Sequence, residues 1–353
     1  MREYGSEHQA ILLSDNYFGN LEKYDREITY LRTGREALLY VSCNCKPGKE
    51  GVILCPAYSC WSMIIPFEFS GWTVVYYRLK KDLTIDLDYL DGLLHTVKPD
   101  AILTMNYYGS ASTRTAIGLV KAFSGRITVI EDFSHCTFCL GQIYNDDVDF
   151  YITSIRKSVG VCDGAMVLSK QPTNRDYIDA DAPEFGKLRL SAQMQKGRYR
   201  VTKSIRDKDV FLTDLRQGEA MINDLDGVHP ISEVSLRMLD TINGEEIAFT
   251  RRENMKHLWE SLRRKVKMIP GLENSFEGAP FSLPILVENR NEIQITLAKK
   301  GVYAPVLWPI DGNARRVCEN SAYISDHMLS LPIDQRYNWD DMEDIAKIVL
   351  ETI

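Results

Sequence analysis

The chain has 353 residues, of which 44% are hydrophobic and 26% are charged. This is enough apolar material for a large core in two domains without disulfides or metal ions. The net charge of −7 argues against a nucleic-acid binder, which normally has a basic surplus. No stretch approaches the ~18 apolar residues of a membrane span, and Met1–Gly5 has no apolar signal-peptide run. We therefore expect a soluble, cytoplasmic protein that binds neither nucleic acid nor membrane.

The first half of the sequence alternates short β-type runs with helical patterns. After a helical run at Ala37–Val41, the predicted elements are strand Val52–Cys55, helix Tyr58–Phe69, strand Thr73–Leu79, helix Leu87–Val97, strand Ala101–Asn106, helix Ser112–Phe123, and strands Ile127–Glu131, Val148–Thr153 and Ala165–Leu168. This alternation predicts a mostly parallel sheet with helices on both faces. Ligands bind such sheets at the carboxyl ends of the strands, so chemistry is expected there.

The pattern changes after about residue 170, where Lys196–Lys208 is strongly basic. The later elements predicted are helices Ile231–Asn243 and Glu246–Val266, β-type runs Phe281–Val287 and Tyr303–Val306, and a helix Trp339–Leu350 that Asn338 begins. The charges of the second helix, Arg251 among them, indicate a solvated face because acidic residues lie between them. We predict a large α/β/α domain over residues 1–245, including an N-terminal arm, and a smaller α+β domain over 246–353.

Eight cysteines include two close pairs, Cys43/Cys45 and Cys136/Cys139. A structural zinc site usually needs four ligands at paired spacing, and a second Cys-x-x-Cys is missing. Most of the cysteines lie in apolar runs, where Cys behaves as a small buried hydrophobe. We expect reduced thiols and no metal site.

Three strand ends or helix starts carry residues suited to one kind of chemistry. Lys157 follows a strand, and a lysine partly withdrawn from water can form a Schiff base with a carbonyl. Asp132 ends another strand, where it can cap a helix or keep the ring nitrogen of pyridoxal phosphate (PLP) protonated. Gly34 opens a helix whose N–H groups can bind phosphate. Ser154 can add a hydroxyl, although Thr33 and Glu36 also fit an ordinary capping box.

The motifs occur in an order that resembles the DegT/DnrJ/StrS aminotransferases over residues 30 to 345. They are Thr33-Gly34-Arg35-Glu36-Ala37, Cys55-Pro56-Ala57-Tyr58, Asn106-Tyr107-Tyr108-Gly109, Ile130-Glu131-Asp132, Ser154-Ile155-Arg156-Lys157 and Leu329-Ser330-Leu331-Pro332-Ile333-Asp334. The resemblance implies PLP fold type I, the aspartate aminotransferase fold, and a homodimer with active sites at the interface. Many members act on nucleotide-linked keto sugars.

The resemblance also implies a role for each matched residue. Lys157 would hold PLP covalently and move the substrate proton, and Asp132 would pair with the ring nitrogen. His135 matches a residue beside the cofactor ring, with a core histidine as the alternative. Phosphate binding is implied for Gly34 and Arg35, through their backbone N–H groups, and for Ser154.

Several positions depart from the family pattern. Ser154 lies closer to the lysine than its usual counterpart, which is five residues upstream. In the family an aromatic ring stacks on PLP, but Cys60 occupies the matching position here. The neighbouring Trp61 or Tyr58 could stack on PLP instead, and we favour Trp61. The partner-subunit Asn that reaches the phosphate has no clear counterpart, although Arg198-Tyr199-Arg200 lies in about the right region. These departures concern the nucleotide-sugar substrate more than the cofactor.

The sequence therefore predicts a PLP-dependent aminotransferase. An amino acid such as glutamate would be the donor, and a keto compound, by resemblance a nucleotide-linked keto sugar, would be the acceptor. A PLP-dependent lyase or decarboxylase is one alternative. A non-catalytic PLP- or sugar-binding regulator is another, but binding alone does not need both Lys157 and Asp132.

Overall fold

A computed structural model describes residues 3–5, 17–46, 50–109, 112–180, 182–223 and 225–353. Residues 1–2, part of the segment in which no signal peptide is predicted, lie outside the described residues. So do residues 6–16, part of the predicted N-terminal arm.

The described strands are short, and the longest have five residues. They are β1 (Glu27–Leu31), β2 (Val52–Pro56), β3 (Thr73–Tyr77), β4 (Ala101–Met105), β5 (Thr128–Asp132), β6 (Phe150–Thr153), β7 (Ala165–Ser169), β8 (Lys267–Met268), β9 (Leu283–Leu286) and β10 (Met328–Leu331). β4 and β7 are buried along their whole length, which is typical of strands covered on both faces.

The described α-helices precede, connect and follow these strands. They are α1 (Gly34–Cys45), α2 (Trp61–Phe69), α3 (Leu87–Val97), α4 (Arg114–Phe123), α5 (Leu140–Ile143), α6 (Pro183–Thr202), α7 (Ile205–Met221), α8 (Glu233–Leu239), α9 (Gly244–Leu262), α10 (Arg290–Lys299), α11 (Gly312–Val317), α12 (Glu319–His327) and α13 (Trp339–Leu350). Within the described ranges, none of the helices has the length and apolar composition needed to cross a bilayer.

Seven strands form a mixed sheet in the order β1-β7-β6-β5-β4-β2-β3, with helices on both sides. The pairs β2–β3, β2–β4 and β4–β5 are parallel, whereas β7 is antiparallel to both β1 and β6. A second sheet has the order β10-β9-β8 and is antiparallel. The predicted fold class, a mostly parallel α/β/α sheet with a smaller α+β part, is confirmed.

The chain divides into two compact units. Unit 1 contains the described parts of residues 1–6, 50–149 and 245–353, and unit 2 contains those of 7–49 and 150–244. Unit 1 therefore has the parallel strands β2 to β5 and the small sheet, and unit 2 has β1, β6 and β7. The predicted boundary between a large and a small domain near residue 245 stays a prediction.

Several predicted elements agree with the structure, and others need correction. Helices α3 and α13 begin and end at the predicted residues, but α2 begins three residues later than predicted, at Trp61. The β-type run Tyr303–Val306 is not a strand; only its neighbour Val302 makes an isolated bridge, with Tyr4. Pro305 has no N–H to donate to a ladder, which explains the failure of that prediction.

The sequence pattern does not predict two long helices that the structure contains, α6 and α7. The basic stretch at Lys196–Lys208 is the end of α6, a break at Lys203 with φ of 54°, and the start of α7. The buried side of α6 includes the polar side chains of Arg189, Gln193 and Lys196. Helical spacing is therefore present, but polar side chains interrupt the apolar residues Phe185, Ala192 and Tyr199 on the buried side.

Arg251 on α9 contradicts the interpretation of that helix as a solvated face. It is fully buried, and its Nη1 donates to the carbonyls of Pro280 at 3.1 Å and Phe281 at 3.2 Å. Its Nε donates to Gln335 Oε1 at 3.0 Å. Burial lowers the pKa of Arg251 to about 10. The Arg251 guanidinium therefore links α9 to the segments around Pro280 and Gln335 within unit 1.

Asn338 begins α13 with a complete capping box, and this predicts a measurable stability change. Its Oδ1 accepts from Asp341 N and its own N–H donates to Asp341 Oδ2, both at 3.1 Å. We expect Asn338→Ala to lower the free energy of unfolding by about 1 kcal/mol, measured by urea denaturation. Lys347→Ala, on the exposed side of the same helix, should cost only a few tenths of that. Equal losses in the two variants would contradict the capping role.

Candidate active site

Unit 2 brings Gly34, Ser154 and Lys157 into one short region. Thr33 caps α1 by accepting Glu36 N at 3.3 Å, so the helix begins at Gly34. A Cβ at Gly34 would lie 3.2 Å from Ser154 Cβ, which is too close for a side chain without a shift of the neighbour. Gly34 therefore allows the start of α1 to approach the end of β6 more closely than most side chains would. N–H groups at a helix start lack backbone acceptors within the helix, so this contact suits a phosphate group.

Lys157 lies on a short 3-10 turn that follows β6. Its N–H donates to Ser154 O at 3.2 Å, and its side chain is half-buried. The turn is held by Arg156 N, which donates to Gly164 O at 3.2 Å, and Ile155 is fully buried under it. The lysine is thus positioned by fixed backbone at the carboxyl end of a strand, as predicted.

The Glu36 carboxylate organises the turn before Gly34. It is buried and accepts hydrogen bonds from Arg32 Nε at 2.9 Å and Thr33 Oγ1 at 2.7 Å. It also accepts from His229, from the ring Nδ1 at 2.9 Å and the backbone N–H at 3.2 Å. The predicted capping box would have aimed this carboxylate at the Thr33 backbone. In the structure its partners are instead the side chains of Arg32, Thr33 and His229 and the backbone N–H of His229.

Asp132, in unit 1, is the last residue of β5 and is buried. Its Oδ1 accepts from Ser134 N at 2.8 Å, and its carbonyl accepts from Asn106 N at 2.9 Å. The strand-end position is as predicted. The contact with Ser134 is the turn-forming kind that a short acidic side chain makes with the backbone two residues on.

His135, also in unit 1, is buried among aromatic rings. Its ring is nearly parallel to that of Phe281, with centroids 5.4 Å apart, and lies 5.1 Å from the ring of Trp308. The Tyr108 ring centroid is 4.6 Å away. This environment matches the alternative of a core histidine, and contact with a cofactor stays a prediction.

The two candidates for the stacking ring differ in exposure. Tyr58 is fully buried, and its ring centroid lies 5.4 Å from that of Trp308 and 5.8 Å from that of Tyr107. Trp61 is the first residue of α2 and has 54% of its surface exposed. Both belong to unit 1. The choice of Trp61 stays a prediction.

The eight cysteines are free thiols, and five of them are buried. Cys139 Sγ donates to Cys136 O at 2.7 Å, so that pair serves local packing. Among the described residues, no group of three or more His, Cys, Asp and Glu side chains is arranged to hold a metal ion.

The fold was compared with known proteins. No family model and no curated protein matches the sequence. Among solved structures, the PMP form of Spr1654 from Streptococcus pneumoniae aligns with a TM-score of 0.68 at 14% identity, over 99% of this chain and 97% of that one. PseC from Helicobacter pylori, an aminotransferase of pseudoaminic acid biosynthesis, aligns with a TM-score of 0.64 at 15% identity, over 99% of both chains.

A third match is a DegT DnrJ EryC1 StrS aminotransferase from Brucella abortus. It aligns with a TM-score of 0.61 at 15% identity, over 94% of this chain and 87% of that one. At such identities the likeness establishes a common fold. The chain therefore has the PLP fold type I architecture, in the form found in the DegT/DnrJ/StrS aminotransferases that its motifs resemble.

The Glu36 network predicts a large stability loss on removal of its charge. Glu36→Gln would remove the buried carboxylate partner of the Arg32 guanidinium and leave it only the exposed Asp226, whose Oδ1 accepts from Nη2 at 3.2 Å. We expect a loss of about 3 kcal/mol in the free energy of unfolding. Urea denaturation monitored by circular dichroism measures it. Glu22→Gln, at an exposed position of the same unit, is the control and should change little. A loss no larger than the control's would refute the role of this carboxylate.

Glu131, beside Asp132, predicts a pH dependence of stability. Burial raises its pKa to about 7, although hydrogen bonds from Thr113 and Asn106 act in the opposite direction; Thr113 Oγ1 donates to Oε1 at 2.6 Å. An unfolded Glu titrates near 4.3, so between about pH 4.3 and 7 the folded protein keeps a proton that the unfolded chain loses. This carboxyl therefore stabilises the fold less as pH rises.

The comparison with Glu131→Gln isolates this effect. The free energy of unfolding of the wild type minus that of the variant should fall by about 3 kcal/mol between pH 4 and pH 8, as measured by urea titrations across that range. A flat difference would show that Glu131 has an ordinary pKa in the folded state, and a difference that rises with pH would show a lowered pKa; either would contradict the prediction.

Proposed function

We propose that the protein is a PLP-dependent aminotransferase that transfers an amino group from an amino acid to a keto acceptor. The observation that carries the proposal is the position of Lys157 on the turn after β6, three residues after Ser154, which packs closely against Gly34 at the start of α1. A helix start, whose N–H groups can bind a phosphate, close in the fold to a strand-end lysine fits a cofactor that has both a phosphate and an aldehyde. The shared fold supports the same conclusion.

Each candidate residue has a defined task in this proposal. PLP, when bound, supplies an electron sink that stabilises negative charge on the substrate carbon. Lys157 Nζ would hold the cofactor covalently and later move the proton at that carbon. The Asp132 carboxylate would hold the proton on the ring nitrogen. His135 and Trp61 would contact the ring, as the resemblance implies.

The phosphate would be bound chiefly by backbone. The N–H groups of Gly34 and Arg35 belong to the first turn of α1, where the helix dipole favours an anion. The buried Ser154 hydroxyl would donate a further hydrogen bond. The hydrogen bonds of Glu36 to Arg32 and Thr33 would keep this turn in one conformation before the phosphate arrives.

For the substrates, we propose glutamate as donor and a keto sugar, in its nucleotide-linked form, as acceptor. The DegT-type motifs support this choice, and PseC is an aminotransferase involved in the biosynthesis of pseudoaminic acid. We further propose a cytoplasmic homodimer whose active sites lie at the subunit interface. Light scattering of the purified protein tests the dimer.

The covalent role of Lys157 predicts a specific chemical label. After incubation with PLP and reduction with borohydride, the wild type should carry the reduced cofactor on the peptide that contains Lys157, as located by mass spectrometry. Lys157→Ala should lose this label and the visible absorbance of the complex. Lys187→Ala, at an exposed position of α6, should keep both.

The outcome that refutes the proposal is a wild type without label, or a variant Lys157→Ala that is labelled to the same extent. Single-turnover experiments then separate the reaction classes. Lasting conversion of the cofactor to its amine form by glutamate indicates transamination, whereas release of ammonia or carbon dioxide indicates a lyase or decarboxylase. Labelling without turnover of any amino acid indicates a binding protein.

A further inference from the structure

Unit 1 contains a polar cavity of about 200 Å³ at the carboxyl end of β4 and the start of α4. Asn106, which follows β4, lines it together with Thr113 and Arg114 at the start of α4 and Glu277 from a later segment of the chain. Sites for drug-sized ligands begin at about 300 Å³, so this cavity suits a smaller molecule.

Asn106 contributes a buried acceptor that the protein leaves unused. The residue is only 4% exposed. Its amide donates a hydrogen bond to the Glu131 carboxyl group, whereas its Oδ1 has no hydrogen-bond partner among the described residues. A buried carbonyl oxygen without a donor is costly. The Asn106 oxygen therefore favours a ligand that brings a donor group into the cavity.

The start of α4 contributes the opposite polarity. Thr113 is the N-cap residue, but its side chain does not cap the helix, because Oγ1 donates instead to Glu131 Oε1 at 2.6 Å. The first N–H groups of α4 therefore lack the acceptor that a threonine usually provides there. The guanidinium of Arg114 donates to the carbonyl of Tyr144 at 3.0 Å and has no carboxylate partner among the described residues. An uncapped helix start with an arginine favours an anion.

These two features are close together, because one carboxyl group joins them. Asn106 and Thr113 both donate hydrogen bonds to Glu131, so the unused acceptor and the uncapped helix start are held next to the same side chain. A ligand that satisfies both must carry a donor and an anion with little separation between them. An α-amino acid meets this condition, since its ammonium and carboxylate groups are attached to one carbon atom.

The charged side chains of the lining agree with a zwitterion. Among the described residues that line the cavity, Arg114 and Glu277 are the charged ones, one of each sign. Glu277 is exposed at the end of the 3-10 turn Leu272–Glu277 and has no ion pair with a described residue. A multiply charged anion would meet Glu277, and a polyamine would meet Arg114, so the lining disfavours ligands of a single sign.

We propose that this cavity binds a small α-amino acid non-covalently. Its carboxylate would accept from the first N–H groups of α4 and from Arg114, and its ammonium would donate to Asn106 Oδ1 and face Glu277. The inference goes beyond the proposed function and does not depend on the chemistry at Lys157, because every residue that carries it belongs to unit 1.

Calorimetry on the full-length Lys157→Ala protein tests the site without covalent chemistry at the lysine. Glycine, L-alanine and L-serine are the probes, and L-serine is compared with 3-hydroxypropionate, which lacks the ammonium, and with ethanolamine, which lacks the carboxylate. L-Serine should bind at least about tenfold more tightly than either analogue, because each loses the hydrogen bonds of one charged group. Failure of all three amino acids to bind, or equal binding of L-serine and one of its analogues, would overturn the proposal.

Two variants with opposite expected patterns separate this site from a general structural effect. Arg114→Gln should weaken binding of L-serine and 3-hydroxypropionate about threefold, the size of an exposed ionic contact, and leave ethanolamine unchanged. Glu277→Gln should weaken L-serine and ethanolamine by a similar factor and leave 3-hydroxypropionate unchanged. Arg126→Gln, at an exposed position of the same unit, should leave all three affinities unchanged.

Equal weakening of the three ligands by Arg114→Gln or Glu277→Gln would contradict the assigned contacts. Because Lys157 is absent from the protein used for these measurements, failure to bind amino acids rejects this cavity alone. The borohydride labelling of Lys157 in the wild type remains the independent test of the aminotransferase assignment.

Discussion

The buried Glu36 carboxylate is the interaction on which the rest of unit 2 depends. A charge removed from water is tolerated only when hydrogen bonds replace its solvation, and here Arg32, Thr33 and His229 provide them. The same residues are joined through their backbones, since Arg32 N donates to His229 O at 2.9 Å. One carboxylate thus ties the end of β1, the start of α1 and the segment near residue 229. The turn that opens α1 is consequently held in one conformation by the protein itself, and such a turn would avoid the ordering cost of binding the proposed phosphate.

Much of the fold could be predicted because burial follows apolar periodicity in those regions. α3 and the strands β2 to β7 have continuous or periodic apolar runs. The starts of α3 and α13 are defined by their N-cap residues, Asp86 and Asn338. The apolar pattern did not predict α6, because the buried face of this helix contains the polar side chains of Arg189 and Gln193. A hydropathy pattern cannot register a helix whose buried positions are polar and satisfied by partners distant in sequence.

The same distinction between local and distant contacts decides which parts of the candidate site could be predicted. Gly34, Asp132 and Lys157 were found because a helix start or a strand end is visible in the local sequence, and ligands gather at such points. The Arg156–Glu219 pair joins residues 63 positions apart, because α7 brings Glu219 to the turn that follows β6. Glu36 was recognised, but a capping-box pattern does not reveal which donors surround the carboxylate. Local sequence predicts the backbone of a site better than the electrostatics behind it.

The net charge of the whole chain and the charges near one site likewise have to be considered separately. A net charge of −7 describes the chain as a whole, and a polymer of phosphates senses that average over a wide surface. A single phosphate senses only charges within about 8 to 10 Å, because salt screens those farther away. The acids on exposed helices therefore have little influence on a small anion. An acidic protein can thus bind a small anion, provided that cations or N–H groups lie next to the binding site.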